Sequence, residues 1–96
     1  MTIDKKKIER NLQKKGFILD VSRDHKYFHH EYKGILTGIF TYISHGSAKE
    51  IDNSLISKMQ KQLKLEKKYL ACDLFTCPMS GDDYLDILKE NNLIHD

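Results

Sequence analysis

Residues 16–46, GFILDVSRDHKYFHHEYKGILTGIFTYISHG, constrain the fold more than any other part of this chain. Three runs rich in β-branched and aromatic residues follow one another, parted only by Ser22-Arg23-Asp24 and by Lys33-Gly34. Parallel strands need a crossover of about a dozen residues or more, so connections this short join antiparallel neighbours. The spacing predicts strands over 17–21, 25–32 and 35–44, arranged as a meander. Phe17, Leu19 and Val21 alternate with Ile18 and Asp20 in the first. In the second, His25, Tyr27, His29 and Glu31 share one face, and Lys26, Phe28, His30 and Tyr32 share the other. Alternation alone leaves open which of these faces is buried. The third strand is weakened at Gly38 and sets Ile39, Thr41 and Ile43 against Phe40 and Tyr42.

Helical patterns flank the meander. Over 3–15, Asp4 is placed to cap, Ile8 and Leu12 lie on one face, and Gly16 stands where a left-handed C′ residue is usual. Over 50–64, Ile51, Leu55, Ile56, Met59 and Leu63 trace an apolar stripe at helical spacing. Ser47 is the expected N-cap there, with Glu50 completing a capping box. A third helix over 66–75 turns Tyr69, Leu70, Leu74 and Cys72 inward and ends at Thr76-Cys77-Pro78. Ser80 caps a fourth, which carries Asp82 and Asp83 in its first turn. Tyr84, Leu85, Leu88 and Leu93 form its apolar side, and Asn91-Asn92 closes it. The expected fold class is α+β: an α-β-β-β-α two-layer domain over residues 1–65, with two extra C-terminal helices over 66–96 packed on the same domain.

A chain of 96 residues makes one domain that buries roughly 60–65% of its unfolded surface. Its net charge of +2 hides an asymmetry. Residues 1–68 hold fifteen Lys and Arg against eight Asp and Glu, whereas residues 69–96 hold one against six. The basic part suits a phosphate backbone and the acidic part does not. The N-terminal MTIDKKKIERNL lacks the apolar core of a signal peptide, and no run approaches the ~20 apolar residues of a membrane span. A cytoplasmic protein with no membrane partner is the expectation, with Cys72 and Cys77 as reduced thiols. Their spacing, with no second cysteine pair and no nearby histidine, argues against a zinc site, and nothing in the chain calls for a metal or a cofactor.

The residues suited to chemistry are histidines. His25 follows a turn, opens a strand, and has Arg23, Asp24 and Lys26 beside it. Imidazole titrates near neutral pH and is the usual proton carrier there. Arg23 and Lys26 could hold a phosphate and offset charge developing on it. Such a set suits metal-free RNA cleavage. The competing reading is a strand histidine without a catalytic role. His29, about 13 Å from His25 along the strand, and His30, pointing oppositely, read as surface or half-buried residues. His45 lies in a Ser-His-Gly-Ser loop before a helix, where backbone N–H groups could bind an anion. Lys6 and Arg10 on the first helix, and Lys33 in the hairpin, are further candidate RNA contacts. Phosphate-binding loops, dinucleotide fingerprints and HExxH are all absent from the sequence.

The order and spacing of these elements resemble the HicA (YcfA-like) toxin family. The matching points are the first helix ending in KKGF, His25 in DHKYF, the Lys33-Gly34 hairpin, His45 in ISHG, and KEIDNSLISKMQKQLKL. The resemblance spans about residues 3–65. It implies a fold like the double-stranded-RNA-binding domain, a metal-independent ribonuclease acting on mRNA with His25 as its catalytic histidine, and neutralisation by a HicB-type antitoxin. Where that family commonly has Gly-Ser-His or Gly-Asn-His, this chain has Arg23-Asp24-His25. A non-catalytic RNA-binding module, or a protein-binding or inhibitor module, of the same fold is the alternative.

Overall fold

The computed structural model describes residues 2–46 and 48–95. The elements are β1 (Ile3–Asp4), α1 (Lys5–Lys14), β2 (Phe17–Val21), β3 (His25–Tyr32), β4 (Ile35–Ser44), β5 (Glu50–Ile51), α2 (Asn53–Gln62), α3 (Lys68–Phe75) and α4 (Gly81–Glu90). β2, β3 and β4 form a three-stranded sheet in that order, and β1 pairs with β5 in a separate ribbon. Both hairpins of the sheet are antiparallel, as their short turns require. The result is a small α+β fold with one sheet face covered by helices.

Alternation decides the faces once the helices are in place. Phe17, Phe28, His30, Ile39, Thr41 and Ile43 point inward and are buried. His25, Tyr27, His29, Phe40 and Tyr42 point outward and remain partly or largely exposed. The β3–β4 register slips between His29 and Glu31, where Thr37, Gly38 and Ile39 of β4 bulge opposite His30.

α1 is capped as its sequence predicts: the Asp4 carboxylate accepts from the Lys6 N–H at 2.9 Å. Ile8 and Leu12 are fully buried beneath it. Gly16 takes φ +100°, which ends the helix in a backbone region that glycine enters at least cost. Asn11 Nδ2 donates to the Phe75 carbonyl at 2.9 Å, which ties α1 to α3. Lys15 Nζ donates to the carbonyls of Leu74 (2.8 Å) and Thr76 (2.6 Å), groups that the end of α3 would otherwise leave unpaired. Burial lowers the Lys15 pKa from its ordinary value. α4 begins hard against this junction. A Cβ at Gly81 would meet the Lys15 backbone at 3.2 Å, so only glycine fits there without a shift.

Five sequence expectations change. Ser47, the expected cap of α2, lies outside the described residues. The helix is capped instead by Asp52, whose carboxylate accepts from Leu55 N at 2.9 Å. Glu50, expected inside that helix, is in β5, because Glu50 and Ile51 pair with Asp4 and Ile3. Tyr69, expected inward, is 63% exposed, while Ala71 and Phe75 fill the buried side of α3. His30, expected at or near the surface, is 1% exposed because α4 lays Tyr84 edge-on over its ring at 5.2 Å. Leu93 is likewise largely exposed, and Ile94 is buried in its place.

Residues 66–96 share the core of the rest. Leu74, Phe75, Tyr84 and Leu88 belong to the same buried cluster as Ile8, Phe17 and Phe28. Tyr84 stacks near Phe17 and donates its hydroxyl to the Leu63 carbonyl at 2.8 Å. The Ser80 cap is as expected, with the Asp83 side chain returning the bond to complete a capping box. Among the described residues, no helix is long and apolar enough to cross a membrane.

Candidate functional site

One end of the sheet gathers the β2–β3 turn, the end of β4 and the start of α1. His25 lies opposite Ser44 in the β3–β4 register. The His45 backbone N–H donates to the Asp24 carbonyl at 3.3 Å, so the loop after β4 rests on the turn that carries His25. Lys5 Nζ reaches from α1 to the Ser44 carbonyl at 2.8 Å and the Gly46 carbonyl at 3.3 Å. That contact accounts for a lysine only 9% exposed.

The turn itself is held by Ser22. Its N–H and hydroxyl both donate to the His25 carbonyl, at 2.8 and 2.9 Å, and its oxygen accepts from the His25 N–H at 3.1 Å. The backbone of His25 is therefore fixed while its ring remains half-exposed. That ring lies 5.9 Å from Tyr27 and 5.0 Å from Tyr42, the latter edge-on. It makes no hydrogen bond to another described side chain. His45 Nε2 lies 2.8 Å from the Ser22 carbonyl, which can only accept, so this nitrogen carries the proton. When neutral, the ring offers the Nδ1 lone pair; when protonated, it offers a second N–H.

The remaining candidates divide. Strand alternation sends Lys26 to the opposite face from His25, where its Nζ lies 3.2 Å from Glu9 of α1. Lys26, Lys6 and Lys49, with Asp4 and Glu9, line a cleft of about 460 Å³ between α1 and the loop before β5. Lys6 and Arg10 line a second, shallower groove on the exposed side of α1. Arg23 is exposed in the turn beside His25. Lys33 lies at the far end of β3, roughly 26 Å from His25 by strand rise, with its Nζ 5.3 Å from the Tyr32 ring. Thus His25, His45 and Arg23 share one end of the sheet. Lys26, Lys6 and Arg10 line the helix side, and Lys33 stands apart.

Sequence reasoning did not single out Tyr27, Phe40 and Tyr42. They continue from His25 as one layer of touching rings on the outer face, joined by His29. The signal was present in the alternation of both strands, but reading it required knowing that Phe28 faces the core. Lys58 of α2 reaches the rim of this layer, 5.2 Å from the Tyr42 ring centroid. Among the described residues no group of three or more His, Cys, Asp or Glu side chains is placed to hold a metal ion. Comparison with protein-family models, with curated proteins and with solved structures gives no match.

Proposed function

We propose that this chain is a HicA-like endoribonuclease of double-stranded-RNA-binding-domain-like fold, a cytoplasmic toxin that cuts mRNA without a metal. The observation that carries the reading is a half-exposed His25 opposite Ser44, with the following residue, His45, held by its ring against Ser22 of the turn that carries His25. His25 takes the proton from a ribose 2′-hydroxyl, whose oxygen then attacks the adjacent phosphorus. The 5′-oxygen leaves and is protonated, giving a cyclic phosphate and a free 5′-hydroxyl. His45 in its protonated form supplies that proton or steadies the phosphate, and Arg23 adds positive charge. Lys6, Arg10 and Lys26 act as more distant phosphate contacts. A HicB-type antitoxin is the partner that this reading implies.

Purified protein should degrade single-stranded RNA in EDTA, and His25→Ala should slow cleavage by roughly 10²-fold or more, as loss of a general acid or base does. Undiminished cleavage by His25→Ala protein would remove His25 from the chemistry.

One observation favours a second reading, a non-catalytic RNA- or protein-binding module. Lys26 is engaged by Glu9 on the other face rather than placed beside His25. Tight RNA binding by the wild type, with no product accumulating over long incubation, would select that reading.

A further inference from the structure

We infer that the outer face of the sheet is a stacking platform for the bases of unpaired RNA. The inference deepens the proposed function by naming its substrate as single-stranded. Five rings, His25, Tyr27 and His29 on β3 and Phe40 and Tyr42 on β4, form a continuous layer with neighbouring centroids 5.0 to 6.2 Å apart. The helices all lie on the other side of the sheet, so the layer is uncovered, and Phe40 is 41% exposed.

The chemistry of the layer selects its occupant. Beside the exposed aliphatic Ile18 and Leu36, this face carries five planar rings, most with a polar edge, which suit flat bases that hydrogen-bond at their rims. Same-face residues along a strand are about 7 Å apart, twice the ~3.4 Å repeat of stacked nucleotides. The rings therefore match a strand drawn out of its own stack, and a duplex keeps its bases inside and cannot offer them.

The charged side chains around the rings balance, two basic against two acidic. Lys58 sits at the Tyr42 rim, and Arg23 is exposed in the turn beside His25. Asp20, 3.8 Å from His29, and Glu31 lie on the same face. The helices of the acidic C-terminal part pack behind the sheet, α3 against α1 and α2, and α4 through Tyr84 against the inner face. A backbone crossing the platform thus has Lys58 at one rim and Arg23 beside His25 for its phosphates, with Asp20 and Glu31 away from His25. The platform also ends at His25, so a strand stacked on Tyr27 and Tyr42 delivers its next phosphate toward the two histidines.

The test is binding of labelled oligouridylate and oligodeoxythymidylate to the full chain, with an RNA duplex as the comparison. Oligodeoxythymidylate has no 2′-hydroxyl, so its binding reports the platform independently of cleavage. The chain has five tyrosines and no tryptophan, and its tyrosine emission should fall as bases stack. Tyr27→Leu with Phe40→Leu keeps apolar bulk while removing two ring faces. It should weaken single-strand binding by roughly tenfold or more, with the folded circular dichroism spectrum retained. Equal affinity in that double variant overturns the platform, as does a duplex bound as tightly as the single strands. Sedimentation showing that the wild type self-associates through this face, and that the double variant does not, overturns it in favour of a second copy. Platform binding together with RNA cleavage that survives His25→Ala upholds this inference and defeats the catalytic assignment alone.

Discussion

His30 carries a buried imidazole whose Nε2 has no hydrogen-bond partner among the described residues. Its Nδ1 lies 3.0 Å from the Thr37 hydroxyl, and its ring is packed between Phe17 and Tyr84. Burial pushes its pKa down to about 4, so the folded protein holds it neutral. The unfolded chain, with a histidine near 6.5, binds a proton first as pH falls. The stability that neutral His30 allows is therefore intact above pH 6.5 and drains away down to about pH 4. Urea unfolding at intervals across that window should show a loss of up to about 3 kcal/mol, since one pKa unit is worth about 1.4 kcal/mol. His30→Leu should flatten that slope. Alternation separates His30 from His29 in the sequence, but the burial of His30 depends on Tyr84, a residue on another helix. No local pattern reports such a contact.

At the scale of elements, legibility follows the range of the contacts. The meander was readable because its turns are short and its pairings join strands adjacent in the chain, with no paired residues further apart than His25 and Ser44. The apolar stripe of α2 was readable too, and Ile56, Met59 and Leu63 are fully buried. Its start was not, because Glu50 and Ile51 are claimed by a strand nearly half the chain away. That leaves Asp52 as the cap. Asp52→Ala should cost about 1 kcal/mol in thermal or denaturant unfolding. The outer face of the sheet shows the same limit. Both sets of alternating residues were visible, yet a face is outward only relative to helices that pack on the other one.

For the whole molecule, the boundary expected near residue 65 divides elements but not the core. Tyr84, Leu74, Phe75 and Leu88 fill the same cluster as the meander's Phe17 and Phe28. A chain ending at residue 65 loses all four and exposes the Leu63 carbonyl that Tyr84 serves. Such a fragment should show no cooperative thermal transition by circular dichroism, whereas the full chain should melt in one step. The acidic extension is thus a structural third of the fold, and its packing holds its own negative charge on the side of the sheet away from the exposed rings. The β1–β5 ribbon has a mechanical meaning as well. It clips residues 3–51 into a closed ring, with α1 and the meander strung along it. Tension on the chain ahead of Ile3 falls first on two residue pairs and on the bond from Lys5 N–H to the Lys49 carbonyl. That clasp should yield before the sheet, releasing slack while the rings and the histidine pair stay in place.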